Sequence, residues 1–196
     1  MIDRERFESV RQKHGTYASW AVWAEPIKTP KSNMGDMTVF DPVSNPALFE
    51  ALKPNVVMVA LNFSRLERNT APFGNFHDPS PRAQDFKIRH AFRHTPYYGA
   101  YMTDIVKNLV MLNSKDVVAH LRVHPQTLSG NLESFREELR DLGTKAPVIL
   151  AFGVTAYTIL KKNLRPEEYS KLIKLTHYSH QISKEKYKEH VAGCIA

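Results

Sequence analysis

Two uninterrupted apolar runs dominate the chain. Val56-Val57-Met58-Val59-Ala60-Leu61 is rich in β-branched residues and has no polar position on either face. Pro147-Val148-Ile149-Leu150-Ala151-Phe152 repeats that character up to Gly153. A strand that is apolar on both sides belongs in a parallel sheet covered by helices above and below. Weaker apolar segments at 98–103 and 171–175 supply two further strands, and helical spacings lie between them over 82–93, 115–122, 131–142 and 154–163. Residues 2–14 read as a charged amphipathic helix with Ile2, Phe7 and Val10 on its apolar side. Residues 24–46 carry Pro26, Pro30, Pro42 and Pro46 and read as an irregular wrap. Asn45-Pro46 then starts a short helix through Leu52, with Asn as cap and Pro in the first position. The predicted architecture is α/β, a three-layer αβα sandwich on a central, mainly parallel four-stranded sheet. It forms one domain over 1–196, with an N-terminal helix and wrap (1–53), a core (54–180) and a C-terminal helix (181–196).

Ligands of such sheets bind outside the carboxyl ends of the strands, near the point where strand order reverses. The residues that follow the four predicted strands are Asn62-Phe63-Ser64, Asp104, Gly153 and Thr176-His177-Tyr178-Ser179. Polar groups from four distant parts of the chain therefore collect at one edge, and the binding site is expected there.

Composition narrows the partners. Hydrophobic residues at 42% and charged residues at 24% describe a globular chain. No apolar run approaches the roughly 20 residues of a spanning helix, so no membrane partner is expected. The amino-terminal MIDRERFESV has no apolar segment of a signal peptide, and the expected compartment is cytoplasmic. A single cysteine, Cys194, excludes an internal disulfide framework and a zinc ribbon. A monomer without cofactor is expected. Lys and Arg exceed Asp and Glu by 27 − 20 = 7, which favours an anionic partner, nucleic acid first, but also fits a merely basic protein.

Asn62 ends its strand with neither a phosphate-loop lysine nor a glycine triplet nearby. An amide there can orient a water, hold a ligand through both a donor and an acceptor, or simply cap the next turn. His177 follows the last strand, where a neutral imidazole can donate to a developing negative charge. His177 and His180, with His77 and Asp78, make no convincing zinc ligand set, and no metal is expected. Phe73 and Phe76 sit in a loop containing Pro and Gly, where rings suit base stacking. Tyr97, Tyr98 and Tyr101 lie near the same edge, and Tyr101 reads as an ordinary core ring. Arg82, Lys87, Arg89 and Arg93 run against only Asp85; that stretch either follows a phosphate backbone or is a solvated helix face, as His90 and His94 also suggest.

Together these segments resemble the uracil-DNA glycosylase superfamily. Ala60-Leu61-Asn62-Phe63-Ser64 stands where its members carry glycine-x-Asn-Pro-Gly or glycine-Gln-Asp-Pro-Tyr after the first core strand. His177-Tyr178-Ser179-His180 stands where they carry His-Pro-Ser-Pro after the last. Leu150-Ala151-Phe152-Gly153-Val154-Thr155-Ala156 looks like the family's buried strand, glycine turn and helix start. Tyr101-Met102-Thr103-Asp104-Ile105-Val106-Lys107 resembles the strand that carries the base-reading Asn. The likeness spans roughly 54–180, without the motif prolines and glycines. It implies hydrolysis of the N-glycosidic bond of a flipped base in DNA. Asn62 would orient the water and His177 would bond the departing base. Phe76 or Phe73 would stack on that base, Asp104 would face its edge, and Ser64 and Ser179 would hold phosphates. No iron–sulfur cluster is implied. Asp104 in place of the uracil-reading amide offers acceptors only, which favours an amino-bearing or altered base over uracil; it can also simply cap the following helix. A non-catalytic nucleic-acid or nucleotide-binding member, and a hydrolase of small nucleosides or nucleotides, fit the same residues.

Overall fold

The computed structural model describes residues 2–63 and 71–196. In chain order these form α1 (Arg4–His14), β1 (Ser19–Trp20), α2 (Leu48–Ala51), β2 (Lys53–Asn62), α3 (Phe86–Phe92), β3 (Ala100–Val106), α4 (Ser114–Val123), α5 (Pro125–Asp141), β4 (Val148–Phe152), α6 (Val154–Asn163), β5 (Lys171–Leu175) and α7 (Lys184–Ile195). The sheet runs β1-β3-β2-β4-β5. Its pairs β3–β2, β2–β4 and β4–β5 are parallel. The expected four strands are thus joined by a fifth: Ser19 and Trp20 pair antiparallel with Met102 and Tyr101. Two residues are too few to leave a periodic pattern, which is why the predicted sheet stopped at four and lacked its mixed edge.

Alternation along β2 explains its unbroken apolar sequence. Val57, Val59 and Leu61 enter a core with α1, α4, α5 and α6, whereas Val56, Met58 and Ala60 enter a second core with α3 and α7. Each face is covered, so each face must be apolar. The chain leaving β2 reaches α3 on one face, and the chain leaving β4 enters α6 on the other. Because β2 and β4 are neighbours, a crevice opens between their carboxyl ends.

Several element bounds move from expectation for local reasons. The third strand in the sheet runs to Val106 rather than ending at 103, so Asp104 lies within β3 and not after it. Tyr98 and Gly99 lie before the strand. Gly99 turns the chain at φ 85°, and a Cβ there would fall on the carbonyl oxygen of Ala51. The helix expected from Asn45-Pro46 begins at Leu48, because the Asn45 side chain donates to the Val39 carbonyl instead of capping. The helix expected at 82–93 shortens to Phe86–Phe92, and the one at 131–142 starts earlier, at Pro125. α1 starts at Arg4, where the Asp3 side chain accepts from the Arg6 N–H.

Two of the basic side chains around α3 are turned inward, while Arg82 stays exposed at the cleft. Arg89 is buried and donates to the carbonyls of Ala24, Pro30 and Ser32, pinning the proline-rich wrap to the domain. Lys87 is buried and donates to the carbonyl of His180. A second buried cation lies on the opposite face. Lys107 pairs with Glu138 at 2.7 Å, and Glu138 also accepts from the hydroxyl of Tyr101. The Lys107 ammonium in addition donates to the backbone carbonyl of Asp104 at 2.9 Å.

Breaking this pair from one side strands a charge in the core. Lys107→Met should lower stability by about 3–5 kcal/mol, and adding Glu138→Leu should recover much of that loss. Urea unfolding of Lys107→Met, Glu138→Leu and the double variant measures it; a double variant whose loss is the sum of the two single losses would contradict the account.

Candidate functional site

A cavity of about 480 Å3 occupies the crevice at the carboxyl edge of the sheet. Its walls include Asn62 at the end of β2, Asp104 in β3, Phe152, Gly153 and Thr155 across the β4–α6 turn, and His177, Tyr178 and Ser179 after β5. The loop before α3 adds Asn75, Phe76, Asp78, Arg82 and Asp85. Of the residues singled out from the sequence, Asn62, Phe76, Asp104, His177 and Ser179 meet here. Ser64 lies outside the described residues. Phe73 belongs elsewhere: its ring is fully buried against Phe7, Trp20 and Phe40, because its left-handed backbone (φ 64°) turns it into the core. Phe76, at φ 65°, turns the other way and packs edge-on to Tyr178.

Asn62 has its orientation dictated by backbone. Its amide nitrogen meets the carbonyls of Phe63 at 2.7 Å, Leu109 at 3.2 Å and Met111 at 2.9 Å. Only an NH2 group can face three carbonyl oxygens, sharing its two N–H bonds among them, which fixes the amide and leaves Oδ1 as its acceptor. The loop between β3 and α4 is therefore tied to the end of β2, and Met111 N–H donates to Phe63 as well.

His177 is fixed with equal economy. The N–H of Ser179 donates to Nδ1 at 3.2 Å, and the Ser179 hydroxyl lies 2.8 Å from the same nitrogen. Nδ1 is thus an acceptor and Nε2 carries the proton of the neutral ring. The residue is partly buried in the cleft wall, and desolvation pushes its pKa down to about 4. Ser179, itself in the cavity wall, thus sets the orientation of His177. Gly153 is called for by its backbone, whose φ of 89° a side chain strains to adopt, rather than by space, since a Cβ there would meet that of His177 at an ordinary 3.5 Å. The first turn of α6 has no side-chain cap, so its unpaired N–H groups offer an anion seat at the cleft wall.

Tyr178 was not assigned a role from sequence. Its ring stacks on His177 at 4.4 Å between centroids and meets Phe152 edge-on at 5.4 Å. Burial, reinforced by the charges of Asp85, Asp104 and Asp78, pushes its phenol well up, so it remains an O–H donor. Asn75 was also missed. Its side-chain NH2 donates both to the carbonyl of Tyr17 and to Oδ2 of Asp104, at 2.7 and 2.9 Å. Adjacency to His177 and to Phe76 was the available signal for these two.

His77 is no ligand in waiting: it is fully buried, stacked on Trp23 and held by Val22 and Asn75 carbonyls. Among the described residues, no group of three or more His, Cys, Asp or Glu side chains is placed to hold a metal. Nor is any helix among them long and apolar enough to cross a membrane. No family model, curated protein or solved structure matches the chain.

The His177 geometry has a measurable consequence. Its Hε1 resonance should stay in the neutral position from pH 7 to 5 and titrate near 4. Because its folded pKa lies below the unfolded value of about 6.5, its contribution to stability is complete above that pH and declines as pH falls toward 4. A ring that titrates near 6.5 in the folded protein would contradict this geometry.

Proposed function

We propose that this chain is a divergent DNA glycosylase, similar in plan to the uracil-DNA glycosylase superfamily, that hydrolyses the N-glycosidic bond of a flipped base. The observation that carries the reading is the meeting of Asn62 and His177 in one cleft walled by Phe76 and Tyr178. The two polar groups are presented in complementary states, an acceptor oxygen and a neutral N–H donor.

The chemistry follows from those states. A base in the stack is inaccessible, so the nucleotide must leave the duplex and enter the cleft. Phe76 and Tyr178 offer ring surface to the extruded base. As the C–N bond lengthens, negative charge grows on the base and positive charge on the sugar. His177 Nε2–H stabilises the former without giving up its proton, which a neutral imidazole retains. Asn62 Oδ1 accepts from a water aimed at the anomeric carbon; the water's oxygen bonds to that carbon and its surplus proton passes to solvent or the released base. An amide cannot act as a general base near neutral pH, so Asn62 contributes orientation. The uncapped first turn of α6 and, in the same plan, Ser64 would hold phosphates. The surplus of seven positive charges favours DNA as the polymer and makes its binding salt-sensitive.

Duplexes and single strands carrying a panel of deaminated, oxidised and alkylated bases, incubated with the protein and cleaved with alkali, test this reading. Excision of at least one base is expected, falling about 100-fold or more in Asn62→Ala and in His177→Ala. DNA binding that weakens with salt but brings no excision would instead make the chain a binding module. No DNA binding at low salt would favour a small nucleoside or nucleotide as ligand.

A further inference from the structure

The positive charge of the chain is concentrated in one stretch. Residues 142–183 hold Lys145, Lys161, Lys162, Arg165, Lys171 and Lys174 against only Glu167 and Glu168. Six basic residues against two acidic ones give this stretch four of the seven excess positive charges. Both carboxylates are already paired, Glu167 with Arg165 and Glu168 with Arg136 and Arg165. Neither α6 nor β5 contains an acidic residue. The same stretch supplies Gly153 and His177 to the cleft, so its unopposed lysines belong to the elements that flank the candidate site.

The fold aligns two of these lysines with the cleft mouth. α6 begins in the cleft wall with Val154, which is 67% exposed, and Val154, Tyr157 and Lys161 share one face of the helix. β5 is the outer strand of the sheet. Lys174 lies on its α6 side, two residues from Leu172, which packs against the α6 core. The Lys174 ammonium sits over the Tyr157 ring, 5.9 Å from its centroid. One helical turn further from the cleft, the Lys161 ammonium donates to the Tyr169 hydroxyl at 3.4 Å. Both lysines are exposed, and neither has a carboxylate partner among the described residues. A ring and a hydroxyl thus hold the two ammonium groups in place without opposing their charge. Lysines also guard an outer strand and suit the last turn of a helix. Those roles account for each position singly, but they do not call for two adjoining elements that lack any carboxylate.

Resting on the reading of the cleft as a DNA site, we propose that the strand flanking the bound nucleotide leaves the cleft past Val154 and follows the α6–β5 edge, where Lys174 and Lys161 hold its phosphates. The helix rises about 10 Å from Val154 to Lys161. A polymer therefore reaches Lys161, whereas a mononucleotide held in the cleft does not. Phosphate contacts fix the register of the strand and carry no sequence information.

Fluorescence anisotropy with a labelled oligonucleotide, repeated across salt concentrations, tests this surface. Each phosphate contact contributes about 0.7 to 0.9 to the slope of log affinity against log salt. Lys161→Gln/Lys174→Gln should lower that slope by about 1.5 to 2, and low-salt affinity by about 10-fold or more, equally for unrelated sequences. Either single variant should show about half the drop in slope. Lys53→Gln/Lys145→Gln removes the same charge at the opposite end of the sheet, where β2 begins and just before β4, and should leave the slope nearly unchanged. Equal slopes for the native protein and Lys161→Gln/Lys174→Gln, or an equal drop in the control pair, would overturn the surface while leaving DNA binding in place. Loss in Lys161→Gln/Lys174→Gln of the amide shifts that a deoxynucleoside monophosphate induces at 177–179 would overturn it too, since these lysines would then act inside the cleft. A native protein that binds no oligonucleotide at low salt would overturn both the surface and the DNA reading beneath it.

Discussion

The organising constraint is the divergence of the chain from two neighbouring strands. After β2 it passes to the face that carries α3, and after β4 to the face that carries α6. Nothing in the sheet can then close the gap between those two carboxyl ends, and the loops that follow β2, β4 and β5 become its walls. Every group in the candidate site inherits its position from this arrangement. Asn62 is the last residue of β2, Gly153 begins the turn after β4, and His177 lies two residues beyond β5.

What the sheet places, backbone hydrogen bonds then aim. Three carbonyls orient the amide of Asn62, and a single backbone N–H sets the tautomer of His177. Two of those three carbonyls belong to the loop leaving β3, whose root is anchored by the buried Lys107–Glu138 pair. The pair therefore stands behind the site from two directions, through the carbonyl of Asp104 and through the loop that grips Asn62. Buried ion pairs contribute little net stability against apolar substitutes, so the better account of this one is geometric, a fixed departure angle for a loop that must meet β2. Arg89 plays the corresponding part on the other face, where its three carbonyl partners pin the wrap.

The parallel sheet and the edge that holds the site could be read from the chain because their causes are local to each strand. Val56 to Leu61 had to be buried on both faces, and the residue after such a strand had to emerge at its carboxyl end. Features set by pairing between distant segments left no such trace. Ser19 and Trp20 form a strand only because Tyr101 and Met102 offer them an edge. Phe73 and Phe76 stand three apart with nearly equal φ, yet they enter the cores on opposite faces of the sheet, and only Phe76 also walls the cleft. Arg89 read as part of a charged face because its acceptors are bare carbonyls, which sequence does not advertise. Asn75 and Tyr178 were overlooked for a related reason, since their significance comes from Tyr17, Asp104 and His177 arriving beside them.

The central claim is that one cleft presents a base to Asn62 and His177. A crystal structure of the protein with an oligonucleotide carrying a 2′-fluorinated deoxynucleotide, whose glycosidic bond resists hydrolysis, tests it most directly. The account predicts the base in the cleft against the Phe76 and Tyr178 rings, the anomeric carbon facing Oδ1 of Asn62, and His177 Nε2 within about 3.2 Å of a base acceptor. An oligonucleotide seated on another surface, with the cleft filled only by water, would contradict it.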